Sequence, residues 1–295
     1  MELDYGVMSK IKYCPFVISS VLSTSATNIK IFKYQAVTIK RETEEGVLVK
    51  GLLQDKDFDI LERPLVVKAG EYFITKGLDI SEALISRAYT PVLRDEELKK
   101  GTFTVIVSLI ENGKMSQFLE KLIPGDIVFW RGPYREFKYD QNSFKTLLLF
   151  GGGTGIVPLY NIAKSITEND KEETRVSLFC SFKTVDHVIL RDQINRLMDY
   201  WNFKFKIFIS LQSESTDFKI KYNEPILFKR IDESVINEEL NLHKNGEFFA
   251  IVSGPEVFNT AIESYLLQYG MQSNNIFIFR YLLLLFSLTL FLVLR

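Results

Sequence analysis

The chain has 295 residues, enough for two domains of ordinary size, and its 46% hydrophobic and 25% charged residues are typical of a globular protein. A formal net charge of −1 gives no bulk attraction to nucleic acid or to an anionic membrane, so no nucleic-acid partner is predicted. The cysteines Cys14 and Cys180 and the histidines His187 and His243 lack the spacing of a disulfide framework, a CxxC centre or a zinc site. We therefore expect no metal site and a reducing compartment.

The first half of the chain is predicted to be an antiparallel β-barrel at residues 29–141, preceded by an N-terminal extension at residues 1–28. An apolar run at residues 15–22 is too short for a spanning helix. Short strand-like runs separated by turn signals favour a barrel. These runs are 29–32, 36–39, 47–53, 65–67, 72–74, 84–92, 103–110 and 127–130. One helix, at residues 115–122, interrupts them with apolar residues on a single face.

The second half alternates strands and helices, which predicts an α/β domain at residues 142–279 with a doubly wound parallel sheet. The predicted strands are 147–150, 175–182, 203–210, 248–252 and 276–279, and the predicted helices are 156–166, 189–200, 234–242 and 257–268. Ligands of such sheets bind at the carboxyl ends of the strands. The remaining residues, 280–295, form a hydrophobic C-terminal tail.

A glycine-rich turn, in the sequence TLLLFGGGTGIVP that runs from Thr146 to Pro158, joins the first strand of this second domain to its first helix. Glycines let a backbone approach a pyrophosphate, and a helix N-terminus presents free N–H groups with partial positive charge. The residues that would contact the phosphates are Gly152, Gly153, Thr154 and Gly155. The alternative is an ordinary tight turn, since Ile156 stands where a GxGxxG pattern has its last glycine.

Three shorter motifs carry further binding chemistry. In SRAYTPV, Arg87 and Tyr89 share one face of a strand, where a guanidinium suits a pyrophosphate and a tyrosine ring offers a plane for stacking. The alternative is a plain exposed strand. The sequence GKMS at residues 113–116 is a second candidate anion site, or a simple turn with a cap. The sequence VSGP at residues 252–255 ends a strand and opens a helix, close to the glycine turn if the two strands are neighbours.

Taken in order, RxYTPV, GKMSxxL, RGP, GGTGI-P and SGPE resemble the ferredoxin–NADP reductase superfamily, and within it the NADH–cytochrome b5 reductase branch. The resemblance covers residues 30 to 279. It implies an FAD-binding barrel, a nicotinamide-nucleotide domain, and FAD between the two. Hydride would pass from NADH to FAD, and electrons would then leave singly for a haem acceptor such as cytochrome b5.

The resemblance also implies roles for individual residues. Thr90, near the reactive N5 of the flavin, and Ser253, where the family often has cysteine beside the nicotinamide, are the implied catalytic residues. On the FAD side, Arg87 would hold the pyrophosphate and Tyr89 would lie on the isoalloxazine. The other implied FAD contacts are Thr90, Pro91, Gly113, Lys114, Met115 and Ser116. The implied contacts of the pyridine nucleotide are Gly152, Gly153, Thr154, Gly155, Gly254 and Pro255.

The sequence departs from the family pattern at several positions. Arg135 replaces a usual glycine, which changes that turn or adds a phosphate contact. Ser108 and Ile110 replace residues on the adenine side of FAD, and Val157 replaces a hydroxyl residue. An aspartate that would disfavour NADPH is missing near Gln212, so NADPH is not excluded.

Other functions remain open from sequence. One is a flavin reductase that serves a quinone or an iron–sulfur protein, and another is a degenerate flavin fold that acts as a membrane scaffold. The tail from Tyr281 to Leu294 spans about 21 Å as a helix, against about 30 Å of hydrocarbon. It is predicted to be a membrane contact, a docking helix or an artefact of the sequence. The expected location is the cytoplasmic side, at the endoplasmic reticulum or another membrane if the tail is an anchor, and otherwise the cytosol.

Overall fold

The computed structural model describes residues 8–39, 58–211, 219–222, 224–242 and 248–280. The predicted strand at 47–53, Gln212, His243 and the tail at 281–294 lie outside these ranges.

Within the described residues, the first domain is an antiparallel sheet of eight strands with two short helices. The strands are β1 (Cys14–Ser23), β2 (Ile29–Ile39), β3 (Phe58–Ile60), β4 (Glu71–Leu78), β5 (Leu84–Tyr89), β6 (Pro91–Val92), β7 (Thr102–Ser108) and β8 (Ile127–Arg135), and the helices are α1 (Asp95–Lys99) and α2 (Lys114–Glu120). The strand order is β5-β4-β8-β1-β2-β7-β6, with β3 on β2. Because Thr90 alone separates β5 from β6 along the chain, the two edges of the sheet meet, and the sheet closes into the predicted barrel.

The start of the barrel differs from the prediction of an N-terminal extension. Strand β1 lies inside the predicted extension, yet it pairs with β2 on one side and with β8 on the other. The sequence CPFVISSVLS is interrupted by paired serines, so its alternation is weak. Its register on β2 also shifts between Ile18 and Ser20, which breaks the period of two on which strand prediction depends.

The barrel is filled by aromatic side chains from several strands. Trp130 of β8 is 1% exposed, and its ring centroid lies 5.0 Å from that of Tyr34 and 5.3 Å from that of Phe103. Phe73 packs edge-on against Phe103 with 4.9 Å between centroids. Such edge-to-face pairs stabilise by about 0.5–1.5 kcal/mol beyond simple burial. The aromatic core therefore fixes the inner face of β4, β7 and β8.

The second domain is the predicted parallel sheet with helices between its strands. Its elements are β9 (Thr146–Gly152), α3 (Ile156–Thr167), β10 (Arg175–Phe182), α4 (Arg191–Leu197), β11 (Phe203–Ile209), β12 (Ile226–Leu227), α5 (Glu233–Leu242), β13 (Phe248–Ser253), α6 (Glu256–Gln268) and β14 (Ile276–Ile278). The order is β12-β11-β10-β9-β13-β14, and each neighbouring pair is parallel. The order reverses at β9, so the switch point of the sheet lies where the glycine turn begins.

Several boundaries differ from the sequence prediction. The run predicted at 84–92 is two strands, and the run at 65–67 makes a single bridge at Leu65. Helix α4 is shorter than its predicted span of 189–200, and α1 and β12 were not predicted. These are short elements of two to seven residues, for which periodicity carries little information.

The two domains share one cluster of buried apolar side chains. Val92 and Ile106 of the barrel belong to the same cluster as Ile156, Leu159 and Ile162 of α3. Burial of apolar area contributes about 25 cal/mol for each Å² removed from water. The barrel and the first helix of the second domain are therefore packed together as one body.

A buried ion pair holds the chain that follows β11. The Glu224 carboxylate, whose side chain is fully buried, accepts hydrogen bonds from Arg191, from Asn195 Nδ2 at 2.9 Å and from the Lys221 amide at 3.0 Å. Burial by itself raises the pKa of Glu224, but these hydrogen bonds outweigh it and lower the pKa to about 2. The pair therefore stabilises the fold above the ordinary carboxyl pKa of 4.5 and loses its effect as the pH falls toward about 2.

We expect Glu224→Gln to lower the free energy of unfolding at neutral pH by about 1.5–3 kcal/mol, because hydrogen bonds to a charged group are lost. The difference from the original chain should shrink as the pH falls from 4.5 toward about 2. Denaturant unfolding at a series of pH values measures both effects. The control is Asp192→Asn, which breaks the exposed pair with Lys221 and should cost about 0–1 kcal/mol. A loss that is equal at neutral and acid pH would contradict the expectation.

Candidate functional site

The site begins where two neighbouring parallel strands end. Ser253 at the end of β13 lies opposite Gly151 near the end of β9. The turn Gly153–Gly155 follows β9 and leads into α3, while Gly254 and Pro255 follow β13 and lead into α6. The pairing of β9 with β13 therefore places both loops at one edge of the sheet, as the sequence prediction required.

The two loops touch through their backbones. A β-carbon at Gly155 would lie 2.3 Å from the carbonyl oxygen of Ser253, so no other residue fits there without movement. A β-carbon at Gly254 would lie 3.2 Å from the Cα of Gly152. Gly153, by contrast, has a φ of +55° and nothing within 4 Å of its missing side chain. The loops are thus closed against each other, with an open backbone surface at Gly153.

On the barrel side, Tyr89 is half-buried at the end of β5. Its ring lies 6.0 Å from that of Trp130 at an angle of 70°, and burial raises the pKa of Tyr89 well above its usual value. The Trp130 indole nitrogen is buried and has no hydrogen-bond partner among the described residues. Arg87, two residues before Tyr89, is exposed and donates to the Ser86 carbonyl at 2.7 Å. No carboxylate of the described chain lies within ion-pair distance of Arg87.

The start of α2 holds side chains that already have partners in the protein. The Lys114 ammonium lies 2.7 Å from Asp79 Oδ2, and the Ser116 hydroxyl oxygen accepts a hydrogen bond from the Ile110 amide at 2.9 Å. Hydrogen bonds from Lys114 and Ser81 hold the pKa of Asp79 well below its usual value. The Met115 side chain is buried in the barrel core. Met115 can therefore face a ligand with its backbone but not with its side chain. The Lys114 side chain, by contrast, is 61% exposed.

The barrel and the glycine turn of the second domain meet along one boundary. The turn Gly153–Gly155 lies beside β7, and α3 lies beside β6, the strand that directly follows Thr90. Asn161 of α3 donates from Nδ2 to the Pro91 carbonyl at 2.8 Å. Thr90 and Pro91 therefore border the same region as the glycine turn.

Two residues depart from their sequence-based interpretation or were missed by it. Arg135, a possible phosphate contact by sequence, is paired instead with the buried Glu71 carboxylate, its Nη2 lying 2.7 Å from Oε1. Asn161 was missed, although one signal was present: it is a lone amide within the otherwise apolar or tyrosine-bearing run 156–163 of a buried helix.

The described ranges also include His187 and the residues that bear on a metal site or a membrane-spanning helix. No group of metal-ligating residues is found in this part of the chain, and none of its helices is long and apolar enough to cross a bilayer. His187 Nδ1 lies 2.8 Å from the Thr184 hydroxyl, and burial, with Lys183 nearby, lowers the pKa of His187.

A barrel with an exposed arginine and a half-buried tyrosine, joined to a parallel sheet with a glycine turn at its switch point, is the arrangement of a two-domain flavin- and pyridine-nucleotide-dependent oxidoreductase. The sequence profile of the oxidoreductase FAD-binding domain matches residues 58–139, and that of the oxidoreductase NAD-binding domain matches residues 149–264.

Known proteins agree with this class. A Homo sapiens protein described as NADH-cytochrome b5 reductase-like is 32% identical over 215 residues, which cover 73% of this chain and 67% of that protein. NADH-cytochrome b5 reductase 2 of Scheffersomyces stipitis is 29% identical over 212 residues, 70% of each chain. The cytochrome b5 reductase domain of Ulva prolifera nitrate reductase shares the fold, with a TM-score of 0.68 at 19% identity over 92% of this chain and 99% of that one.

The chain therefore belongs to the NADH–cytochrome b5 reductase family. It is an oxidoreductase with FAD and NADH as cofactors, and it transfers electrons from NADH to FAD.

We expect Gly155→Ala to separate the glycine turn from Ser253, because the added carbon would lie 2.3 Å from the Ser253 carbonyl oxygen. Misplacement of this kind should slow flavin reduction by NADH about tenfold or more while FAD stays bound. Anaerobic rapid mixing with NADH, normalised to flavin content, measures the rate.

The control is Gly125→Ala, in the turn before β8, where φ is +96° but no atom lies within 4 Å of the added carbon. It should lower the melting temperature and leave the rate unchanged. Equal rates for Gly155→Ala and the original chain would contradict the steric argument.

Proposed function

We propose that this reductase delivers its electrons singly to a haem protein, cytochrome b5 or one closely similar to it. The observation that supports the electron path is the contact of the glycine turn with Ser253 and with β7, together with the packing of α3 on β6, the strand that follows Thr90. In this proposal the nucleotide and the flavin meet at that boundary. The relatives of this chain are named for cytochrome b5 reduction. Their names support cytochrome b5 as the acceptor. The boundary between the two domains supports the path of electrons from NADH to FAD.

On the barrel, we assign FAD to the face that carries Arg87 and Tyr89. The fit is supported by charge, because the Arg87 guanidinium is exposed and lacks a carboxylate partner in the described chain, as a pyrophosphate ligand requires. Tyr89 offers a half-buried ring held edge-on by Trp130. This surface continues at Thr90 and the Pro91 backbone. The FAD phosphates are assigned to the segment at the start of α2, which consists of Gly113, Lys114, the Met115 backbone and Ser116.

On the parallel sheet, we assign NADH to the glycine turn and the loop after β13. Gly152, Gly153, Thr154 and Gly155 present backbone to the nucleotide, and Gly153 leaves its approach open. Gly254 and Pro255 border the nicotinamide. Ser253, 1% exposed, supplies a small polar group at the floor of this pocket.

Bound FAD supplies the redox chemistry, accepting a hydride from NADH and releasing electrons one at a time. The protein supplies position and exclusion of water. Its apolar cluster across the domain boundary keeps the barrel and α3 in fixed contact, and a fixed geometry of the reacting groups is worth several orders of magnitude in rate. Thr90 lies between β5 and β6, next to the boundary with α3, and we assign to it the contact with the flavin ring.

We expect Arg87→Gln to weaken FAD binding about 10- to 100-fold, because a charge-assisted bond to phosphate is lost. Flavin absorbance per protein after gel filtration, with added FAD as a titration, measures the change. Arg94→Gln is the matched control, since Arg94 belongs to the same domain, is 41% exposed and pairs with Glu97. Loss of FAD from both variants, or from neither, would contradict the assignment.

The acceptor is tested with the flavin-loaded protein and NADH as donor. We expect purified cytochrome b5 to be reduced faster than a quinone or a ferredoxin at equal concentration. Equal or faster reduction of a quinone or an iron–sulfur protein would overturn the acceptor and keep the flavin chemistry. Absence of bound flavin, even after FAD is added, would favour the scaffold function.

We further propose that residues 281–294 contact a membrane, from the apolar sequence alone. Truncation after Arg280 should release the protein from membranes and leave NADH–ferricyanide activity intact. Retained membrane partition, or a lower melting temperature without release, would contradict this assignment and favour a docking helix.

A further inference from the structure

One buried amide links the barrel to the first helix of the second domain. Asn161 lies on α3 and is 1% exposed, and its neighbours in the run 156–163 are also buried. A buried amide that lacks partners costs about 1–3 kcal/mol, so its hydrogen bonds show what the site requires. Both of its bonds cross from the nucleotide domain to the barrel.

The two bonds satisfy the outer edge of strand β6. Asn161 Nδ2 donates to the Pro91 carbonyl at 2.8 Å, and Asn161 Oδ1 accepts from the Leu93 amide at 3.0 Å. On its other side β6 pairs with β7. The amide therefore occupies the place that a further strand would take. It satisfies both the Leu93 N–H donor and the Pro91 carbonyl acceptor.

Each end of this link is adjacent to a cofactor-binding segment. Pro91 directly follows Thr90 in the barrel, and Asn161 stands six residues after Gly155, about 9 Å along a rigid helix. Asn161 thus provides a direct polar connection between the strand assigned to FAD and the turn assigned to NADH.

We propose that Asn161 is a positioning residue, which sets the spacing between the nicotinamide on the glycine turn and the flavin on the barrel and thereby the rate of hydride transfer. The inference rests on the proposed placement of both cofactors. Rates of this kind fall about 100-fold for a displacement of about 1 Å, so a modest shift of α3 against β6 is enough.

A purely structural amide would behave differently, and the chain offers one for comparison. Asn202 is 5% exposed and donates from Nδ2 to the Thr174 carbonyl at 3.0 Å, within the nucleotide domain. It stabilises the same domain but makes no contact with the barrel through that bond. Loss of Asn202 should therefore lower stability without changing the geometry of the boundary between the two domains.

The experiment compares Asn161→Leu, Asn161→Gln and Asn202→Leu as flavin-loaded proteins, at a temperature where all are folded. For Asn161→Leu we expect flavin reduction at saturating NADH to slow about 10- to 100-fold, while FAD content and half-saturating NADH change about twofold at most. Asn161→Gln, which keeps the amide, should recover part of the rate. The primary isotope effect with NADH deuterated at the transferred position should change in Asn161→Leu alone.

Equal rates in Asn161→Leu and Asn202→Leu, at similar loss of melting temperature, would overturn the proposal and leave Asn161 a structural residue. If Asn161→Leu does not fold, Asn161→Ala is judged by the same criteria. Failure of the original chain to bind FAD or to be reduced by NADH would instead contradict the cofactor placement. The original chain is measured first, so the two failures are distinguished.

Discussion

At Gly155 the backbone of one loop comes so close to the Ser253 carbonyl that a β-carbon would lie 2.3 Å from that oxygen. This contact exists because β9 and β13 are parallel neighbours, which brings their carboxyl ends to one edge of the sheet. The strand order also reverses at β9, which is the position in open α/β sheets where ligands bind. A backbone surface without side chains is what a dinucleotide needs for close approach. The site on the second domain thus depends on a packing constraint more than on any single side chain.

The barrel meets this edge through its own seam. Its two edge strands, β5 and β6, are joined at Thr90, and α3, the helix that follows the glycine turn, packs on β6. An edge strand of two residues leaves unpaired backbone groups, which are costly when buried. The Asn161 amide satisfies two of them, and the apolar cluster around Val92 and Ile156 excludes water from the joint. The contacts at β6 therefore both complete the edge of the barrel and hold the two domains together.

Sequence patterns predicted what depends on local periodicity. The antiparallel barrel followed by a parallel sheet with helices is confirmed. The domain boundaries stay predictions, apart from β1, which pairs within the barrel although it lies in the predicted extension. Strand β1 was missed because its serines and its shifted register hide the alternation. The partners of Lys114, Arg135 and Asn161 could not be predicted, because each lies 35 to 70 residues away in the chain. Contacts of that kind are set by the tertiary fold, whereas the roles assigned to site residues stay predictions.

The cationic side chains of the barrel differ in their ion pairs and therefore in how readily they can bind a further anion. Arg135 is paired with the buried Glu71 carboxylate, so its charge stabilises the end of β8 and is not available to a phosphate. Lys114 is paired with Asp79, yet it remains 61% exposed and can still attract an anion from its outer side. Arg87 has no carboxylate within ion-pair distance in the described chain and donates instead to the Ser86 carbonyl. An ion pair must be broken before its cation can bind a new anion with full strength. In the proposed placement of FAD on this face, the first contact with the pyrophosphate would therefore fall to Arg87, and Lys114 would reinforce it.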